Sequence, residues 1–323
     1  MSINFRWRWS VGPRRLRVLQ KADITPELVL ALVADQFPQW ADLPVSPVEL
    51  DGWDNATFRL GTTMSVRLPR HDMYVAQIDK EHRWLPVLRD QLPLPIPAPI
   101  AKGAPALGFP RPWSIYRWID VETVTHETVR DFTVFAEDLA AFLTALYRCD
   151  ATDGPAAGAH SHGRGGPVDI WDGMTRDALE RLGGEVDTAG ATEVWEAALD
   201  ARSDHAPVWV HGDVAGSNLL VQEGRLSAVI DFGCSAVGDP ACDTTIAWTF
   251  FAGDSRAAFT SLLPVDDATW ARGRGWALWK ALIEIVPDLS NPGHAQRSAT
   301  RFGWRHSARQ IIDEVIADHR NTS

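Results

Sequence analysis

One stretch constrains this chain more than any other: Trp209 to Asp243, WVHGDVAGSNLLVQEGRLSAVIDFGCSAVGDPACD. It opens with His211-Gly212-Asp213, carries Asn218 five residues after that aspartate, and reaches Asp231-Phe232-Gly233. Between Asn218 and Asp231 lie two apolar runs around Glu223-Gly224, the pattern of a β-hairpin. A two-residue turn there sets Val221 against Leu226 and Asn218 against Val229. It also brings Asp231 back to the mouth where Asn218 sits. Asp213, Asn218 and Asp231 are then neighbours, although eighteen positions separate the first from the last. Such oxygen-bearing side chains suit Mg²⁺, a hard cation that takes oxygen ligands and shares them with phosphates.

The same intervals occur in the phosphoryl-transfer template, where H-R-D-x-x-x-x-N precedes D-F-G. Here Gly212 stands in place of the arginine that engages a phosphorylated activation segment. No such segment follows, because Gly238-Asp239-Pro240 arrives almost at once and there is no A-P-E. On these residues, together with Ile230 and Asp243, the stretch resembles the aminoglycoside phosphotransferase family, kinase-like enzymes that phosphorylate antibiotics and other small molecules. The resemblance implies an α+β, two-lobed, protein-kinase-like fold. The small N-lobe would hold an antiparallel sheet and one main helix, and the larger, mostly helical C-lobe would carry the catalytic hairpin. It further implies that Asp213 is the catalytic base, that Asn218 and Asp231 hold Mg²⁺, and that ATP or GTP is the co-substrate. Asp243 would support the catalytic loop by hydrogen bonding, and His211 would pack structurally.

The nucleotide lobe is expected over residues 22–119. Thr25-Pro26-Glu27 reads as an N-cap followed by a proline at the first helical position. A polar turn, Asp51-Gly52-Trp53-Asp54-Asn55, then precedes two strands joined at Gly61-Thr62-Thr63. No G-x-G-x-x-G is present, and Asn55 is the candidate for that turn's contact with the nucleotide, or else a simple Asx-turn residue. The template places a lysine on the second strand; this chain offers Arg67, or failing it Arg70, and an arginine can clamp phosphate oxygens with two parallel hydrogen bonds. Its partner on the next helix would be Glu81. After a Pro-rich connection, the strand WSIYRWID leads to a hinge over Arg117, Trp118 and Ile119, where Trp118 packs either on a base or in the core.

Residues 120–323 are expected to form the C-lobe, with residues 1–21 a flexible or surface-binding extension. His160 and His162 are read as incidental loop residues. The net charge of −11 argues against nucleic acid as a partner. That charge, with the acidic helices around Asp172–Asp200, favours a cationic acceptor such as an aminoglycoside. Fifteen tryptophans fit a bulky macrolide equally well. Three cysteines, Cys149, Cys234 and Cys242, are too few for a disulfide framework. With no apolar run of membrane-spanning length, the expectation is a cytoplasmic monomer or homodimer with no membrane partner. The competing expectations are a metabolic kinase of choline, a sugar or homoserine, and a non-catalytic nucleotide-binding protein.

Overall fold

The computed structural model describes residues 23–48, 54–125, 127–202, 204–288 and 303–322. The expected extension and the Asp51-Gly52-Trp53 part of the turn lie outside them.

The chain enters through α1 (Pro26–Gln36), where the Thr25 hydroxyl accepts from the Leu28 amide and Pro26 takes the first turn. Strands β1 (Val45–Pro47), β2 (Asn55–Leu60) and β3 (Met64–Pro69) follow, then helix α2 (Val75–Arg89). Next come β4 (Pro99–Gly103) and β5 (Trp113–Arg117), which complete an antiparallel sheet in the order β1-β2-β3-β5-β4. The Pro-rich connection is therefore not wholly irregular: Pro99–Gly103 joins the sheet as an edge strand, where a proline costs no ladder bond. Period-two alternation divides this sheet into two faces. Ala56, Phe58, Leu60, Val66 and Leu68 pack with Val29, Leu32 and Val33 of α1. Asn55, Arg67 and Tyr116 point to the other face, against α2.

The C-lobe begins at β6 (Glu122–Thr123) and α3 (Phe132–Arg148), whose N-cap Asp131 accepts from the amides of Thr133 and Val134. Helices α4 (Asp172–Leu182) and α5 (Thr188–Asp200) form the acidic insertion. Strand β7 (Val208–Val210) leads into the motif-bearing stretch, with β8 (Leu219–Gln222), β9 (Arg225–Val229) and β10 (Ala236–Gly238). Among the described residues four helices complete the lobe: α6 (Ile246–Thr249), α7 (Gly253–Leu262), α8 (Asp267–Asp288) and α9 (Ala308–Thr322). The apolar run after Asp243 is thus not one helix, since it breaks at Phe250 between α6 and α7. The last helix is described from Ala308 and runs past His319. Helix α8 lies at the centre, with Trp276, Leu278, Ala281 and Leu282 buried in the main core. Leu85 and Leu88 of α2 belong to the same core, which joins the lobes through packed side chains.

The hairpin forms as expected around Glu223 and Gly224, both with positive φ (54° and 84°). Val221 does face Leu226, but a bulge then shifts the register, so that Leu219 pairs with Val229. Asn218 consequently faces Ile230, whose amide donates to the Asn218 carbonyl, and not Val229. The extra residue is Ser227, and its hydroxyl donates to the Leu220 carbonyl.

Candidate active site

The loop at residues 211–213 is tied down by backbone and side-chain bonds at every position. Asp243 is fully buried and accepts from the amides of His211 (2.9 Å) and Gly212 (2.7 Å). Burial pushes its carboxyl up, against the opposing pull of His211 and those two amides. The His211 Nδ1 accepts from the Asp213 amide, so the ring's Nε2 donates to the Ile230 carbonyl at 3.0 Å. Both ring nitrogens are thereby occupied, and the ring meets Phe232 edge-on at 4.7 Å. Gly212 is required here: its φ is +83°, and a Cβ would lie 2.5 Å from the Cys234 carbonyl oxygen. Asp239, in the Gly-Asp-Pro turn, accepts from Ala241 and pairs with buried Arg272 at 2.6 Å.

Asp213 sits between two donors. The Asn218 amide nitrogen donates to its carbonyl (2.9 Å) and approaches its carboxylate (3.4 Å). Lys280, from α8, lies 3.3 Å from the other carboxylate oxygen. Burial raises the Asp213 carboxyl, but Lys280, Arg164 and His211 outweigh it and hold the group below the usual aspartate range. Asp231 occupies left-handed backbone, φ 65°, uncommon for a residue other than glycine.

Across the cleft, Arg67 spans the two lobes. Its guanidinium lies 3.8 Å from Glu81 and 3.8 Å from Asp231. Glu81 is buried and also accepts a short hydrogen bond from the Tyr116 hydroxyl. The pair at Glu81 and Asp231 strengthens the charge on Arg67 against the cost of its burial. Asn55 is buried at the start of β2 and lines the same small cleft as Arg67, Gln77 and Glu81. Its neighbour Asp54 is pushed up to about 6, by burial first and then by the Asp231 charge.

The three hinge candidates divide. The Arg117 amide donates to Ala98 and the Trp118 amide to Thr63, so both are spent inside the lobe. Ile119 alone of the three has an amide with no bond among the described residues. Trp118 is half-buried rather than in the core; its ring lies 4.1 Å from the Arg59 guanidinium and its indole nitrogen donates to Asp120.

Five contributors went unforeseen. Lys80 is buried and donates to the carbonyls of Gly233 and Ser235, both at 2.8 Å, joining α2 to the Asp-Phe-Gly loop. His160 and His162 are not incidental, for they reach Lys80 (3.3 Å) and Gln77 (3.5 Å) and seat their loop against α2. Arg164 and Lys280 line a cavity beside Asp213 with Ala215, Ile283, Glu284 and Trp304. A lysine inside the apolar run WALWKALIEIV was the available signal for Lys280. Arg164 offered none beyond its place in a Gly-rich loop.

Among the described residues no three His, Cys, Asp or Glu side chains gather as a metal cage. The Ile230 amide bonds the Asn218 carbonyl, which sets Asp231 in the chain next to Asn218, and a carboxylate with an amide oxygen is a donor set that fits a cation such as Mg²⁺, which binds through one or two carboxylates and completes its shell with phosphates and water. Among the described residues, no helix is long and apolar enough to cross a membrane.

Residues 45–276 match the model of the phosphotransferase enzyme family. No curated protein matches significantly. Among solved structures, an aminoglycoside phosphotransferase in complex with GDP and kanamycin is 17% identical, with a TM-score of 0.68, covering 91% of this chain and 99% of that one. The ternary complex of another with streptomycin and ATP is also 17% identical, with a TM-score of 0.57 and coverage of 90% and 99%. The macrolide 2'-phosphotransferase apoenzyme from Brachybacterium faecium is 20% identical, with a TM-score of 0.55 and coverage of 86% and 97%. At these identities the likeness is one of fold, two-lobed and kinase-like.

Proposed function

Because the chain belongs to the phosphotransferase enzyme family, we propose that it is a small-molecule kinase that moves the γ-phosphate of ATP or GTP to an acceptor hydroxyl, with Asp213 as the base. The observation that carries this reading is the position of Asp213. It is held between Asn218 and Lys280 at one wall of a cavity, while Asp231, on the other strand's side of the hairpin mouth, meets Arg67.

Phosphoryl transfer asks mostly for positioning and charge neutralisation. Asp231 and the amide oxygen of Asn218 would hold Mg²⁺, which when bound neutralises the nucleotide phosphates. Arg67, steadied by Glu81, would clamp the phosphate oxygens, and Ile119 would offer its amide to the base. We place the change from nucleotide lobe to acceptor lobe at residues 119 and 120. Asp213, held below the usual aspartate range, is ionised at neutral pH and accepts a hydrogen bond from the acceptor hydroxyl. As the new O–P bond forms, the bond from the γ-phosphorus to the nucleotide's bridging oxygen breaks. The hydroxyl proton passes to Asp213 late, when the oxygen has become acidic.

Aminoglycosides and macrolides are the acceptors that the similar solved structures bring to mind, but one observation favours a metabolic alcohol. The acidic insertion is largely committed elsewhere: Asp172 and Glu196 pair with Arg176, Glu185 with Arg309, and Asp187 with Arg320. Five of the tryptophans, Trp113, Trp195, Trp209, Trp248 and Trp276, are fully buried, while Trp304 lines the cavity beside Asp213. Beside Asp213 stand two cations, Arg164 and Lys280. A screen of ATP and GTP consumption across aminoglycosides, macrolides and small alcohols tests the proposal. Acceptor-dependent consumption with a phosphorylated product supports it, and nucleotide binding without transfer to any acceptor contradicts it.

A further inference from the structure

The cavity beside Asp213 carries more charge than the transfer itself requires. Of its two cations and two carboxylates, Lys280 and Asp213 answer each other at 3.3 Å. Arg164 and Glu284 remain. The Arg164 guanidinium lies over two indoles, its central carbon 5.6 Å from the Trp276 ring centroid and 5.0 Å from that of Trp279. Its Nε is buried and has no hydrogen-bond partner among the described residues. Glu284 lies one helical turn beyond Lys280 on α8, and one of its carboxylate oxygens is likewise buried without a partner. Buried polar groups are nearly always satisfied, so two unsatisfied groups of opposite sign in one cavity mark the places where a ligand completes the bonding.

We infer that the acceptor is a small amphoteric alcohol, which presents an oxyanion to Arg164, a hydrogen-bond donor such as an ammonium to Glu284, and its hydroxyl to Asp213. Guanidinium on an aromatic bed is preorganised for a planar carboxylate, because stacking fixes the plane in which its donors point. A polycationic acceptor would instead bring ammonium groups against both Arg164 and Lys280. The inference rests on reading the Asp213 cavity as the acceptor site, and it deepens the kinase proposal by giving the acceptor a charge pattern.

The test uses the full chain and two matched sets of acceptors. Homoserine is compared with 4-hydroxybutyrate, which lacks the ammonium, and with 3-aminopropan-1-ol, which lacks the carboxylate. Serine, 3-hydroxypropionate and ethanolamine form the second set, and kanamycin serves as the polycation. Binding is measured by calorimetry without nucleotide, and transfer by labelled phosphate with MgATP and MgGTP. Carboxylate-bearing members are expected to bind more tightly than their carboxylate-free partners. Arg164→Met should erase that preference, weakening carboxylate binding by about tenfold or more, as loss of a charged hydrogen bond does. Glu284→Gln should erase the preference for the ammonium in the same way, and thermal unfolding of each variant shows that it has folded. Carboxylate-dependent binding lost in Arg164→Met, with no transfer, would uphold the acceptor chemistry and sink the kinase proposal. Transfer to kanamycin or an amino alcohol in preference to every carboxylate-bearing member would do the reverse. Binding of none of the carboxylate-bearing members also overturns the inference.

Discussion

The two ends of the cleft are built in different ways. At the C-lobe end, His211, Gly212, Asp213, Asn218, Asp231 and Asp243 belong to a single run of chain, held by backbone amides and carbonyls at 2.7 to 3.2 Å. At the N-lobe end, Asn55, Arg67, Glu81 and Tyr116 come from β2, β3, α2 and β5, and the central contacts are two ion pairs at 3.8 Å. The first arrangement follows from local turn chemistry and one hairpin. The second exists only after a sheet and a helix have packed, and the charge of Asp231 is shared between the ends. In the proposed kinase, local geometry would therefore fix the residues assigned to the transfer, and side-chain charge, which can adjust, would meet the nucleotide.

If that contrast is right, changes at the C-lobe end should act on turnover and changes at the N-lobe end on affinity. Asp231→Asn removes the carboxylate proposed for Mg²⁺ and is expected to cost about 10²–10³-fold in kcat, the scale of a lost electrostatic contact in a transition state. Steady-state rates at saturating nucleotide check it. Arg67→Ala should raise the KM for nucleotide by about 10–100-fold, as loss of charged hydrogen bonds does, with kcat less affected. Arg67→Lys should restore most of that loss, since a lysine keeps the charge though not the fork. A fall confined to kcat in Arg67→Ala would erase the distinction between the ends.

Two further changes probe stability. Asp243→Ala leaves the amides of His211 and Gly212 buried without an acceptor, and should cost about 1–3 kcal/mol in chemical denaturation. Asp54 supplies a pH test in the other lobe. Its carboxyl is raised from 3.8 to about 6 in the folded chain. The folded state thus binds that proton more tightly, a contribution fully present below the unfolded value and lost as pH rises through the folded one. Asp54→Asn should therefore raise Tm by about 2–4 °C at neutral pH and by nothing near pH 4. Equal gains at both pH values would show that the Asp54 carboxyl is not raised in the folded chain.

What the chain discloses before folding tracks this division. The hairpin, its turn and its return of Asp231 to Asn218 were legible because alternation and turn residues act over a few positions. The bulge at Ser227 was not, since an extra residue leaves the apolar pattern intact on either side. Arg67 and Glu81 were placed by motif position, and their meeting depends on the packing of α2 under the sheet. Lys280 reaches Asp213 from 67 residues away. Which carboxylates of the acidic insertion stay free was not legible, because net charge is a sum: it does not tell which of them helix packing spends on Arg176, Arg309 and Arg320.

The measurement that bears most directly on the role of Asp213 pairs binding with transfer in Asp213→Ala. Nucleotide affinity with Mg²⁺ is read by calorimetry, and phosphate transfer to the acceptor found by the consumption screen is read on the same preparation. Unchanged affinity with transfer lowered by about 10²–10⁴-fold, the usual contribution of a positioned base, is the expected result. Transfer at near-parental rate in Asp213→Ala would contradict it.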